Sequence, residues 1–360
     1  MFFIFFIAGT SCKKDESSQI PVYDSLEIEI DTIASEYVKI GAMVGVIDLQ
    51  HRKNIYSFGT KSLDTLDPPD VNTAFDIGSI TKTFVAILAA QMYLSGTIQD
   101  EIVSHYLPSN EVIIPVKGGE EITFLHLLSH TSGLPRTPHI DGSVFPLPPG
   151  FNAENPYAAY TTAQVYDYLS NYCSLEFTPG TWWNYSNTGF GLLGHVIGLI
   201  DSSSFEIVLQ REIFDILDMN SSSLFLTIEQ QSNLARGHDG SKKVVPFFTA
   251  NDIFQGAGMI KSTLNDMFVY LEANIGLRTT TLTSAMNLSH QVVMHQGSMG
   301  DQGMAWLITE LEDGQQIIYS GGNTNGHSAY LAFNKELGTG VIILLIFQTM
   351  MVQIWIWAGR

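Results

Sequence analysis

The chain has very little cysteine: Cys12 and Cys173 are the two in 360 residues. A disulfide framework is therefore excluded, and stability has to come from a packed core. Positive charge is scarce as well. Seventeen Lys and Arg stand against 36 Asp and Glu, for a net charge of −19, and no basic block is longer than two residues. Nucleic acid, whose phosphates demand a basic face, is excluded as a partner. Charged residues make up 15% of the chain and apolar residues 45%, the balance of a folded protein rather than a disordered one. No internal repeat stands out, and the length accommodates one large core or two.

A clean transmembrane run is also missing. Residues 341–358 are uncharged and long enough to be weighed as a span, but Gln348 and Gln353 interrupt them. Residues 341–347 alone suit a buried strand. At the other end, the apolar stretch 1–8 is followed by Cys12 and then by Lys13-Lys14-Asp15-Glu16. This resembles a bacterial lipoprotein signal, in which Cys12 would carry the lipid and residues 1–25 would be signal and tether. The expected location is the bacterial cell envelope, periplasm or outer membrane, with membrane contact through the lipid on Cys12. The segment departs from that pattern in two places: Gly9 stands where leucine is usual, and no Lys or Arg precedes the apolar core. Cys173 reads as inert packing.

Periodicity predicts helix over 28–37, strand over 38–49, a turn at His51-Arg52-Lys53-Asn54 and strand over 55–58. Pro68-Pro69 breaks the chain before a helix that starts near Ser79 and stops at Gly96. Short helices follow at 125–130, capped by Thr123 and stopped by Gly133, and at 162–169 and 188–200. Ser203-Ser204-Phe205-Glu206 spells a capping box for the next helix. Thr263 and Gly276 bracket another. Strands are expected at 303–309, 315–319, 328–333 and 340–347. The fold class is α+β, with one antiparallel sheet built from both chain ends (about 26–95 and 250–360), flanked by helices. A mostly helical domain, about 96–249, is inserted between them. Residues 348–360, rich in Met and Trp, lack a helix cap and are expected to be a truncation or an altered reading frame.

The chemistry centres on Phe75-Asp76-Ile77-Gly78-Ser79-Ile80-Thr81-Lys82 and the apolar run behind it. Ser79 and Lys82 at i and i+3 share one helix face. Both are costly to bury unless they serve each other: burial lowers the amine pKa, and a neutral amine can take the serine proton. Ser-x-x-Lys is weak alone, since a solvated serine and lysine give the same letters. Two other segments, Tyr185-Ser186-Asn187 and Tyr319-Ser320-Gly321-Gly322, give it context. With Leu125-His126-Leu127-Leu128-Ser129-His130-Thr131-Ser132-Gly133-Leu134-Pro135 and Thr178-Pro179-Gly180, they occur in the order found in the serine β-lactamase and penicillin-binding peptidase superfamily. The chain most resembles its class C β-lactamase-related branch, with D-alanyl carboxypeptidases and esterases.

The resemblance implies a β-lactamase/transpeptidase-like fold and a serine hydrolase acting through an acyl-enzyme on D-amino-acid peptides, β-lactams or carboxylic esters. The substrate would be a small molecule or derived from peptidoglycan, with neither cofactor nor metal. Ser79 would be the nucleophile, with Lys82 and Tyr185 together as base, the tyrosine pKa being lowered by lysine charge. Asn187 would hold Lys82 and a substrate amide. The N–H groups of Ser79 and Gly322 would form the oxyanion hole, and Gly321 and Gly322 would let substrate lie along the strand edge. Tyr319 departs from the pattern, because related enzymes carry Lys or His there. Its neutral phenol would remove the charge that reads a substrate carboxylate, favouring esters or amides without one. Two rival readings are a catalytically impaired homologue that binds muropeptide or another ligand, and a zinc hydrolase built on His126 and His130. Leu127 stands where a zinc peptidase would have its glutamate, so both histidines read as structural.

Overall fold

The structure, a computed structural model, describes residues 2–7, 25–99, 101–138, 145–295, 300–311, 313–347 and 353–358, the first and last of these as backbone only. Cys12 and residues 348–352 lie outside it. Strand β1 (Phe2–Ile7) pairs antiparallel with β12 (Gln353–Ala358) as a separate ribbon. Helix α1 (Leu26–Tyr37) begins at Ser25, whose Oγ accepts the Ile28 N–H at 3.3 Å, and it buries Ile30 and Ala34.

One antiparallel sheet of eight strands organises the rest. Its strands are β2 (Gly41–Ile47), β3 (Lys53–Gly59), β6 (Met294–His295), β7 (Asp301–Gln302), β8 (Leu307–Glu310), β9 (Gln316–Asn323), β10 (Ser328–Asn334) and β11 (Thr339–Leu345). Their order is β3-β2-β11-β10-β9-β8-β7-β6, so both chain ends build the sheet, as the pattern predicted. Residues 96–249 supply no strand to it among the described residues. Every residue of β2, β10 and β11 is buried, because both faces are covered. On one face, Val44, Val46, Tyr330, Ala332, Val341 and Ile343 pack with Ile30 of α1. On the other, Met43, Ile47, Leu331, Phe333, Ile342 and Leu344 join the main core. Val341–Leu345 is thus a central strand.

Helix α2 (Thr81–Leu94) runs through that main core, and from Phe84 to Ala90 its side chains are at most 1% exposed. Phe84 stacks on Tyr270 at 3.9 Å between ring centroids, and Thr83 Oγ1 lies 2.7 Å from the Tyr270 hydroxyl. Gly96, at φ +73°, takes the left-handed position just past the helix, as expected.

Several boundaries differ from expectation. Helix α3 (Phe124–Leu128) has Thr123 as its N-cap but ends five residues before Gly133. His130 is left-handed at φ +60° with its ring buried, and Gly133 is left-handed too, at φ +75°. The helix at Phe205–Leu209 is capped by Ser204, whose Oγ accepts from Ile207; Ser203 instead bonds Asp201, so no capping box forms. The strand expected at 303–309 is split by a turn with Ala305 at φ +64°. Helix α4 (Thr162–Asp167) continues as a π turn, and α5 (Asn187–Asp201) starts from Ser186, whose Oγ accepts the Gly189 N–H at 2.9 Å.

A short pairing of β4 (Phe75–Asp76) with β5 (Lys261–Ser262) fixes the chain just before Ser79. It brings Lys261 Nζ within 3.6 Å of Asp76 Oδ1, both side chains at most 1% exposed. Asp76 Oδ2 also accepts the Phe248 N–H at 3.0 Å. An ammonium this deep depends on its carboxylate, so Asp76→Ala is expected to cost about 3–5 kcal/mol in urea unfolding. Asp76→Leu combined with Lys261→Met should recover most of that loss, and equal stability of Asp76→Ala and wild type would disprove the pairing.

Candidate active site

The 3-10 turn Gly78–Ile80 precedes α2, leaving Ser79 partly exposed and Lys82 2% exposed below it. Lys82 Nζ lies 3.0 Å from Ser79 Oγ and donates to Asn187 Oδ1 at 2.9 Å and to the Ala257 carbonyl. Asn187 is the first residue of α5, and its Nδ2 donates to the Tyr157 hydroxyl at 2.7 Å. The Tyr185 O–H donates to Ser79 Oγ at 2.5 Å. Residues 106 positions apart in sequence thus meet at one oxygen.

Burial, aided by the positive charge of Arg136, holds the Lys82 pKa well below the ordinary lysine value. A neutral amine has two N–H donors and one lone pair. Asn187 Oδ1 and the Ala257 carbonyl take the donors, which leaves the lone pair facing the Ser79 hydroxyl. The arrangement is therefore suited to removing the serine proton. Tyr185 behaves oppositely to the expectation from sequence. Burial pushes its pKa up, against the smaller lowering effects of the Ser79 hydrogen bond and Arg136. A neutral Lys82 supplies no charge to stabilise a phenolate, so Tyr185 stays protonated and acts as a donor.

His130 forms the wall behind Tyr185. Its ring lies 4.4 Å from that of Tyr185 and 4.9 Å from that of Phe190, and its Nδ1 accepts the Ser186 N–H at 3.1 Å. Burial first, then the positive charge of Arg136, holds its pKa well below the ordinary histidine value. His126 closes the α3 capping box, with Nδ1 accepting from Thr123 N–H at 3.2 Å. Both histidines are thus occupied structurally. Among the described residues no cluster of three or more His, Cys, Asp or Glu is placed to hold a metal ion.

Strand β9 forms the opposite wall, and here the face assignments differ from expectation. Tyr319 pairs with Ala332 and points with Ile317 and Tyr330 into the core beneath α1, its ring 6.0 Å from that of Tyr330. It lies on the far side of the sheet from Ser79. Ser320, paired with Leu331 of the main core, is on the Ser79 side. The cation missing at Tyr319 is missing at Ser320 as well. Gly322 lies hard against the 3-10 turn: a Cβ there would come within 2.0 Å of the Ile77 carbonyl and 2.7 Å of Ser79 N. Gly321 has room for a Cβ, with nothing nearer than 3.7 Å, so only Gly322 is sterically required.

The second oxyanion donor shifts by one residue for the same reason. Thr324 N–H bonds the His327 carbonyl at 2.9 Å across the hairpin. Backbone N–H groups alternate sides along a strand, so Gly322 N–H is directed to β10 and Asn323 N–H to the open edge. β8 pairs β9 only through Tyr319, which leaves that edge uncovered among the described residues. Asn323 N lies beside Gly78, where an added Cβ would approach it to 2.8 Å. Ser79 and Asn323, rather than Ser79 and Gly322, are therefore the candidate donor pair.

Arg136, Tyr157 and Asn323 were not singled out in the sequence. Arg136 directly follows Leu134-Pro135, and in so cation-poor a chain that adjacency was a usable signal. Tyr157 carried none, because a loop tyrosine looks the same wherever it lands.

Solved structures show the same architecture. A beta-lactamase/D-alanine carboxypeptidase from Pseudomonas syringae superposes with a TM-score of 0.74 at 22% identity, covering 90% of this chain and 93% of that one. A class C beta-lactamase in complex with cefoxitin gives 0.75 at 23% identity, with coverage of 90% and 93%. The fold is that of the β-lactamase/transpeptidase class. Residues 30–348 match the family model described as Beta-lactamase, and the chain belongs to that family. A beta-lactamase from Pseudomonas fluorescens is 24% identical over 339 residues, which is 84% of this chain and 87% of that protein.

The charge balance at Lys82 can be read from a pH–rate profile on a neutral ester. kcat/KM should fall as pH drops through the Lys82 pKa, because an ammonium cannot accept the serine proton, and that limb should lie well below 10.5. Removing the neighbouring cation in Arg136→Ala stabilises the ammonium, so the limb should move to higher pH. An unmoved limb would rule out the coupling.

Proposed function

We propose that this protein is a serine hydrolase that forms an acyl-enzyme at Ser79 with D-amino-acid peptides, β-lactams or related carboxylic esters. The observation that carries this is Ser79 Oγ lying 3.0 Å from the Lys82 amine, whose pKa burial holds well below the ordinary lysine value, and 2.5 Å from the Tyr185 phenol, whose pKa burial pushes up. Lys82 takes the Ser79 proton as Oγ bonds to the substrate carbonyl carbon. The developing oxyanion is met by the N–H groups of Ser79 and Asn323, each donor being worth about 3–4 kcal/mol in other enzymes. As the scissile C–N or C–O bond breaks, the Tyr185 proton passes to the leaving group. The Lys82 ammonium then returns a proton to the Tyr185 oxygen. Water attacks the acyl-enzyme by the same route in reverse, restoring the Ser79 hydroxyl.

The beta-lactamase and D-alanine carboxypeptidase relatives support this substrate range. A homologue that only binds its ligand is disfavoured, since nucleophile, base and proton donor are all in contact. Labelling with a fluorescent penicillin and with a fluorophosphonate tests the reading. Wild type is expected to be labelled by at least one probe, and Ser79→Ala by neither; absence of label on wild type would refute the enzyme. We also propose that the protein is held at the cell envelope by a lipid on Cys12, supported by the apolar segment before that residue. Metabolic labelling with a palmitate analogue should mark wild type and not Cys12→Ser, and equal labelling of the two would exclude this anchor.

A further inference from the structure

Neither Tyr319 nor Ser320 gives β9 a cation, and Lys82 and His130 are both kept neutral. One positive charge remains at the Tyr185 ring. Arg136 is exposed, with its guanidinium carbon 4.9 Å from the centre of that ring. Its backbone is fixed by the start of α5: the Arg136 carbonyl accepts the Asn187 and Thr188 N–H groups at 3.0 and 3.2 Å. None of the ion pairs among the described residues involves its side chain. In a chain with 36 acidic residues against 17 basic ones, an arginine without an acidic partner among the described residues is a cation left open for something else.

Its place relative to the reacting atoms defines what that is. Tyr185 touches Ser79 through its hydroxyl and Arg136 through its ring. In the proposed chemistry the Tyr185 hydroxyl gives its proton to the leaving group, and the guanidinium lies against the ring that carries that hydroxyl. A guanidinium's planar fork of N–H donors matches a carboxylate with two parallel hydrogen bonds. We propose that Arg136 is the specificity-determining residue for a carboxylate on the leaving group, read from the α3–α5 side of the site in place of the missing β9 cation. This rests on the serine hydrolase reading. It revises the preference for substrates without a carboxylate that the sequence alone implied.

The test compares two substrates with the same scissile ester, an acyl-D-alanyl-D-lactate and its methyl ester. Because Arg136 also acts on Lys82, Arg136→Ala is expected to slow both at neutral pH, and the readout is their kcat/KM ratio on the alkaline plateau. Wild type should prefer the free carboxylate, and the ratio should fall about 10- to 150-fold in Arg136→Ala, the worth of charge-assisted hydrogen bonds. Arg136→Lys should restore the charge but only part of the ratio, for want of the fork. An unchanged ratio, or a wild-type preference for the methyl ester, overturns the proposal. A binding measurement separates this failure from that of the hydrolase reading. By calorimetry, Ser79→Ala should bind an acyl-D-alanyl-D-alanine more tightly than its C-terminal amide, and the difference should vanish when Arg136→Ala is added. Equal binding of the two overturns the Arg136 assignment whether or not the wild type turns over substrate.

Discussion

The site depends on one amine kept uncharged. Lys82 is nearly sealed from solvent, and its donors go to Asn187 Oδ1 and the Ala257 carbonyl, both neutral acceptors. A carboxylate in either place would hold the ammonium and remove the base. The other features of the site follow from that constraint. Burial raises the Tyr185 pKa and so favours the protonated phenol, and it lowers that of His130 in the same buried layer. The fixed positive charge that lowers the Lys82 pKa is carried outside this layer, on exposed Arg136.

The amine is placed by packing of two separate parts of the chain. Helix α2, buried from its start through Ala90, carries Lys82 in its first turn just after Ser79, while α5 and the short helix Gln255–Gly258 bring Asn187 and Ala257. Behind the nucleophile, the β4–β5 pairing locks Asp76 to Lys261 and so fixes the backbone that presents Ser79. The buried ion pair and the buried neutral lysine sit a few residues apart and solve opposite problems. Lys261 has a carboxylate within 3.6 Å, whereas Lys82 has none and gives up its charge.

Strand β9 shows how far local pattern reached. The glycine pair was legible, and so was its pairing with a later strand, because hairpin-length spacing and β-branched residues mark both. Which residue faces Ser79 was not legible. Residues 317–320 of β9 are buried on both faces, so no alternation of polar and apolar residues reveals their orientation, and a shift of one residue moves every side chain to the other face. Tyr319 went to the α1 side, and the edge donor moved from Gly322 to Asn323, for that single reason. At α3, Gly133 is left-handed as its sequence suggests, but the helix has already ended at Leu128, ahead of a left-handed His130 that carries no such local signal.

What the sequence determined by itself was the inventory and its order: Ser79 with Lys82 on a buried helix, Tyr185 and Asn187 ahead of another, and a sheet assembled from both ends of the chain. The helices and strands follow from short-range rules of helix spacing, capping and strand period, while the choice of Tyr185 and Asn187 follows from the resemblance to the family. The tertiary structure alone decided the charge states, the inward face of β9 and the cation that lies over Tyr185. Each depends on distances between residues far apart in sequence, and on how much water remains between them.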